Sequence, residues 1–143
     1  MLVIHSSPAG IMKTYIVEDS PIVLSNLIGA LKELPSVEIV GTAADEGVAT
    51  EWLAESGEDC ALVIVDVFLQ RGSGIGVLRA AKHSGFTGKR VVMTNFATRE
   101  VREACAALGA DRVFDKSNEL AELIAYCSQL AKASLSNSRV GLH

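Results

Sequence analysis

Leu62-Val63-Ile64-Val65 is an unbroken apolar run that stops at Asp66. Side chains alternate along a strand, so four apolar residues in a row put greasy groups on both faces. Such a strand is at home in the middle of a parallel sheet with helices above and below. The flanking segments agree. Upstream, residues from about Asp45 to Ser56 read as a helix closed by Gly57. Downstream, Gly72 and Gly74 open a loop, and Val77, Leu78 and Ala81 mark one face of the next helix.

The same unit recurs on either side. Thr14-Tyr15-Ile16-Val17 reads as a first strand. It is followed by Ser20 as an N-cap, Pro21 at the first helical position, and Leu24, Leu27, Ile28 and Leu31 on one helix face, with Pro35 ending the pattern. Val37 to Ala43 is a second strand and Arg90-Val91-Val92-Met93-Thr94 a fourth. Val101, Ala104, Cys105 and Leu108 form a helix face that ends at Gly109. Arg112 to Asp115 is a short fifth strand, and Leu120, Leu123, Ile124, Cys127, Leu130 and Ala131 give a last amphipathic helix. Five repeats of strand then helix predict an α/β fold with a five-stranded parallel sheet. Right-handed crossovers place its helices on both faces.

The composition fits one such domain. The chain has 143 residues, 49% hydrophobic and 21% charged, and a formal charge of −4. A mildly acidic chain without a basic run is a poor match for nucleic acid or an anionic membrane. No apolar stretch approaches the roughly 20 residues of a membrane span, and Leu2-Val3-Ile4 is too short for a secretory core. Cys60, Cys105 and Cys127 lack metal or redox spacing, which makes a reducing cytoplasm the expected compartment, and Cys105 and Cys127 read as small core residues. His5, His83 and His143 are scattered and receive no role. Trp52 reads as packing, and Arg99 and Arg102 as residues that either meet a partner or lie on a solvated helix face. Residues 1–12 read as an N-terminal extension in which Met12 is an alternative start, and residues 134–143 as a frayed Ser/Asn-rich tail.

In open parallel sheets ligands bind at the carboxyl ends of the strands. Here those ends carry Glu18-Asp19, Asp66, Thr94 and Asp115-Lys116. Each has a bland reading: acids at a helix start suit the helix dipole, and Asp66 suits a turn. Together they offer oxygen ligands of the kind Mg²⁺ prefers, with a hydroxyl and an ammonium facing the same spot. That set suits a phosphoryl group joined to one carboxylate.

With these residues in view, residues 13–133 resemble the receiver domain of two-component response regulators. The match is carried by Val17-Glu18-Asp19-Ser20, Val63-Ile64-Val65-Asp66-Val67-Phe68-Leu69, Gly72-Ser73-Gly74, Val91-Val92-Met93-Thr94, and Gly109-Ala110-Asp111 leading to Asp115-Lys116-Ser117. The resemblance implies a flavodoxin-like (βα)5 three-layer sandwich with strand order 2-1-3-4-5. It implies that Asp66 accepts a phosphoryl group from a sensor histidine kinase or histidine phosphotransfer protein. Glu18, Asp19, Asp66 and the backbone carbonyl of Phe68 would hold Mg²⁺, while Thr94 and Lys116 would meet phosphoryl oxygens. The ten residues after Ala133 are too few for an output module. A stand-alone, non-enzymatic receiver is therefore expected, acting on a downstream target protein. The surface of the last two helices and fifth strand is the family's usual partner and dimer face.

Several positions depart from the family pattern. Glu18 stands where Asp is commoner, and Asn95 follows Thr94 where a small residue is usual, with Phe96 next. Phe68 and Phe96 are expected to flank the phosphate and impede water. Val113 occupies the place of the family's switch aromatic, with Phe114 facing the other way. Ser117 replaces a common proline, which predicts a trans peptide bond and suggests Ser117 as a cap for the last helix. The rival reading is a pseudo-receiver, a protein-binding module that never carries phosphate. An aspartyl phosphatase would want a second acid where Phe68 stands, and a flavodoxin-like carrier would not place Glu18-Asp19 at its phosphate loop.

Overall fold

The computed structural model describes residues 10–141, with side chains described through residue 133. Five strands form one parallel sheet: β1 (Met12–Val17), β2 (Val37–Ala43), β3 (Leu62–Asp66), β4 (Lys89–Thr94) and β5 (Arg112–Asp115). Their order is β2-β1-β3-β4-β5. The apolar run thus occupies the centre, paired with β1 on one side and β4 on the other. Helices α1 (Pro21–Leu31), α2 (Glu46–Ser56), α3 (Gly74–Ser84), α4 (Arg99–Ala107) and α5 (Leu120–Gly141) alternate with the strands.

The alternation along β3 sorts the core into layers. Leu62 and Ile64 pack with Leu27 and Leu31 of α1 and Leu123 and Cys127 of α5. Val63 and Val65 face the other way, against Ala49 and Leu53 of α2 and Val77 and Ala81 of α3. All five residues of β3 are buried. Burial of each such side chain favours folding by roughly 1.5–3 kcal/mol, which is why this strand anchors both layers. A smaller cluster of Val67, Leu78, Val92 and Cys105 seats α4.

Local chemistry sets the helix starts. Ser20, Asp45, Ser73 and Thr98 each accept a hydrogen bond from a backbone N–H in the first turn of α1, α2, α3 and α4. Gly85 closes α3 with φ of +77°, a left-handed backbone that a side chain would strain.

Two boundaries and one cap differ from the sequence reading. Met12 is part of β1 and buried, and its N–H donates to the Ser36 carbonyl at 2.7 Å, so it belongs to the sheet and not to an extension. Residues 1–9 lie outside the described residues. The backbone of α5 continues through Gly141, past the expected tail. Once a helix is nucleated, each further residue adds one hydrogen bond, so propagation overrides weak formers such as Ser and Asn. Ser117 does not cap α5: its hydroxyl donates to Asn95 Oδ1 at 3.1 Å, joining the loops that follow β5 and β4. All peptide bonds among the described residues are trans.

Candidate functional site

Four strands deliver side chains to one rim. Glu18 and Asp19 follow β1, where the Glu18 N–H donates to Ala43 O at 2.9 Å and so continues the β1–β2 ladder. Asp66 ends β3. Lys116 follows β5, its N–H donating to Thr94 O at 2.9 Å. The parallel register that pairs Thr94 with Asp115 and Met93 with Asp66 brings these residues level.

The side chains converge as well. The Lys116 ammonium lies 3.0 Å from Asp66 Oδ2 and 2.7 Å from Glu18 Oε1. The extra methylene of Glu18 spans this gap while its second oxygen, Oε2, accepts from the Ser20 N–H at 2.8 Å. Asp66 Oδ1 accepts from the Phe68 N–H at 3.2 Å, and Asp19 Oδ2 from the Gln70 N–H at 2.6 Å. Relative exposure of the side chains is 0% for Glu18, 4% for Asp66 and 10% for Lys116. One ligand oxygen from each of Glu18, Asp19 and Asp66 fits within a 4.8 Å span. A cleft of about 390 Å³ opens over them, lined also by Phe68, Gln70, Asn95 and Phe96.

Burial dominates the electrostatics. It pushes the pKa values of Glu18 and Asp66 upward, against the lowering effect of Lys116 and of the backbone donors at Ser20 and Phe68. Burial is also the largest influence on Lys116 and works against its charge. The hydrogen bonds and charges of Glu18 and Asp66 outweigh it and hold the ammonium above its ordinary pKa. One ammonium therefore serves two buried carboxylates, with Asp19 adding a third nearby. Glu18 Oε1 meets the Lys116 ammonium as a buried ion pair. Hard oxygen donors and an excess of negative charge fit a small divalent cation such as Mg²⁺.

Not every residue singled out from the sequence reaches the cluster. Thr94 is buried at the end of β4, and its hydroxyl accepts from the Phe96 N–H at 3.1 Å. Among the described residues that hydroxyl makes no hydrogen bond to Asp66 or to the Lys116 ammonium. Phe114 is buried on the α1–α5 side of the sheet while Val113 packs with the α4 cluster, as the strand alternation requires. Arg102, for which the sequence left a partner contact or a solvated face open, is partly exposed and bonded within the domain: Nε donates to Ala97 O at 3.1 Å, Nη1 to Val113 O at 2.9 Å, and Nη2 to Glu119 Oε1 at 3.3 Å. No local signal distinguished it from Arg99, whose partner Glu103 lies on the same exposed helix.

Fold and site together define a receiver, and comparison with known proteins gives the same answer. The family model described as response regulator receiver domain matches residues 14–128, and the chain belongs to that family. A protein-glutamate methylesterase/protein-glutamine glutaminase of Xanthomonas campestris is 38% identical over 64 residues, covering 45% of this chain and 18% of that protein. A second such protein, from Geobacter metallireducens, is 32% identical over 102 residues, covering 71% of this chain and 29% of its own length. The chain thus spans less than a third of these relatives. Among solved structures, a two-component response regulator of the LuxR family from Aurantimonas sp. SI85-9A1 superposes with a TM-score of 0.77. The identity is 21%, over 91% of this chain and 99% of that one.

Proposed function

We propose that the chain is a phosphorelay receiver in which Asp66 takes a phosphoryl group from a phosphohistidine donor. The observation that carries the reading is the 3.0 Å approach of Lys116 Nζ to Asp66 Oδ2 beside two further acids. Glu18, Asp19, Asp66 and the backbone carbonyl of Phe68 would hold Mg²⁺. The ion would supply charge neutralisation for the incoming phosphoryl oxygens.

The chain's own residues do the rest. Asp66 Oδ1 is oriented by the Phe68 N–H, and the opposite oxygen faces Lys116. In the transfer one carboxylate oxygen attacks phosphorus, the bond from phosphorus to the donor imidazole nitrogen breaks, and the imidazole keeps that electron pair. Lys116 is already aimed at the position where charge accumulates, so no reorganisation is needed to stabilise it. Thr94 would release the Phe96 N–H to meet a phosphoryl oxygen. That exchange links the site to the loop before α4 and biases a pre-existing equilibrium of the α4–β5–α5 face. The output is noncovalent binding of a target protein at that face, which can also pair two copies of the chain.

The test is incubation with Mg²⁺ and a small acyl-phosphate donor, read by intact mass. A hydroxylamine-sensitive phosphate adduct that is lost in Asp66→Asn is the expected result. No adduct from the small donor or from a phosphorylated histidine kinase overturns it in favour of a phosphorylation-independent binding module.

A further inference from the structure

We infer that Glu46, in the first turn of α2, is a positioning residue for the cation pocket. It acts by holding the loop between β3 and α3, and the inference rests on the reading of that pocket given above. Glu46 grips this loop twice. Its backbone N–H donates to Arg71 O at 3.1 Å, and its carboxylate Oε1 accepts from the Ser73 N–H at 2.9 Å. Arg71 directly follows Gln70, whose N–H is the donor that pins Asp19 Oδ2 at 2.6 Å. The grip on one residue therefore fixes the aim of the next.

The surrounding chain is shaped to admit this carboxylate. A Cβ at Gly76 would collide with Glu46 Oε2, and one at Gly72 with Glu46 Cβ. Gly72 also needs its φ of +82°, but Gly76 has no such need. It lies inside α3, where glycine is the weakest former apart from proline. The three atoms nearest to a Cβ there all belong to Glu46. A simple helix-capping role does not account for the arrangement, because α3 already has its cap: the Ser73 hydroxyl accepts from the Ile75 N–H at 3.0 Å. The sequence carries the signal in Gly72-Ser73-Gly74-Ile75-Gly76, but the residue it serves lies far upstream.

The experiment titrates Mg²⁺ into the full chain, by calorimetry and by the amide resonance of Gln70, with thermal melting alongside. Glu46→Ala is expected to weaken Mg²⁺ binding about tenfold, in line with losses seen when groups supporting metal ligands are removed. Glu46→Gln, whose amide oxygen can still accept from Ser73, should bind within about twofold of the original. Gly76→Ala displaces the carboxylate from the other side and should reproduce the Glu46→Ala loss while improving helix propensity, which keeps the test open should Glu46→Ala not fold. In the double variant the two losses should not add, because each removes the same contact. Unchanged Mg²⁺ affinity in both single variants, or fully additive losses, would overturn the inference alone. A parent chain that takes up no Mg²⁺ would overturn the reading of the pocket and this inference with it.

Discussion

The rings of Phe68 and Phe96 meet edge to face, with centroids 5.2 Å apart and planes at 76°. They come from the loops after β3 and β4 and close over the cleft that holds Asp66, yet remain 51% and 61% exposed. Nothing in the core requires two phenyl groups there. Such a pair contributes about 0.5–1.5 kcal/mol, which corresponds to roughly a two- to tenfold effect on any step that must part the rings. Water reaching an acyl phosphate on Asp66 is such a step. Phe68→Asn is therefore expected to shorten the lifetime of the phosphorylated form about two- to tenfold, measured by loss of the mass adduct over time. An unchanged lifetime removes the rings from any shielding role.

Burial raises the pKa values of Asp66 and Glu18, and this sets the direction of a pH effect. A carboxylate that holds its proton more tightly when folded stabilises the fold fully below the ordinary carboxylate pKa of about 4. That contribution is lost as pH rises through the raised folded value. The metal-free domain should thus lose part of its stability as pH climbs from the ordinary carboxylate range through the raised folded values, and Mg²⁺ should restore it above them. Asp66→Asn removes one of the two buried acids and should raise the neutral-pH Tm by a few degrees while flattening this slope. Thermal melts across pH, with and without Mg²⁺, check it; a lower Tm for the Asn variant would contradict it.

Arg102 ties three segments with one guanidinium: the loop before α4 at Ala97, β5 at Val113, and Glu119 ahead of α5. Glu119 Oε1 also accepts from the Asp115 N–H at 2.8 Å, which lowers the Glu119 pKa. The fork of donors suits this geometry and an ammonium does not. Loss of the two carbonyl bonds in Arg102→Lys should cost about 1–2 kcal/mol. Hydrogen exchange at Thr98, whose N–H donates to Phe96 O, should speed up. Equal protection in the Lys variant would show that charge alone suffices.

Gly74 leads α3 directly beneath the acceptor strand. A Cβ there would run into the Asp66 carbonyl and the Val67 backbone, which cannot swing aside as a side-chain end can. Its N–H also donates to Val67 O at 2.8 Å. Gly74→Ala should destabilise the domain by about 1–3 kcal/mol, seen in denaturant unfolding, and should weaken Mg²⁺ binding through the displaced Asp66. Full stability in this variant would mean the loop has slack that the structure does not show.

Much of this was legible in the order of residues. The apolar run Leu62 to Val65 and the strand–helix alternation around it implied the parallel sheet, because period and β-branching are properties of neighbouring residues. The same reasoning put Glu18, Asp19, Asp66 and Lys116 at strand ends, and a parallel sheet must gather its carboxyl ends on one rim. Folding decided what those side chains then touch. The reach of Glu18 to Lys116, the pairing of Ser117 with Asn95, the triple bond set of Arg102 and the seat of Glu46 among Gly72, Ser73 and Gly76 all join separate loops. Such contacts depend on strand register and on the offset between packed helices, to a fraction of an ångström. Local pattern carries the identity of each element but not that offset, so tertiary packing alone chose which carboxylate meets the ammonium and which one holds the loop.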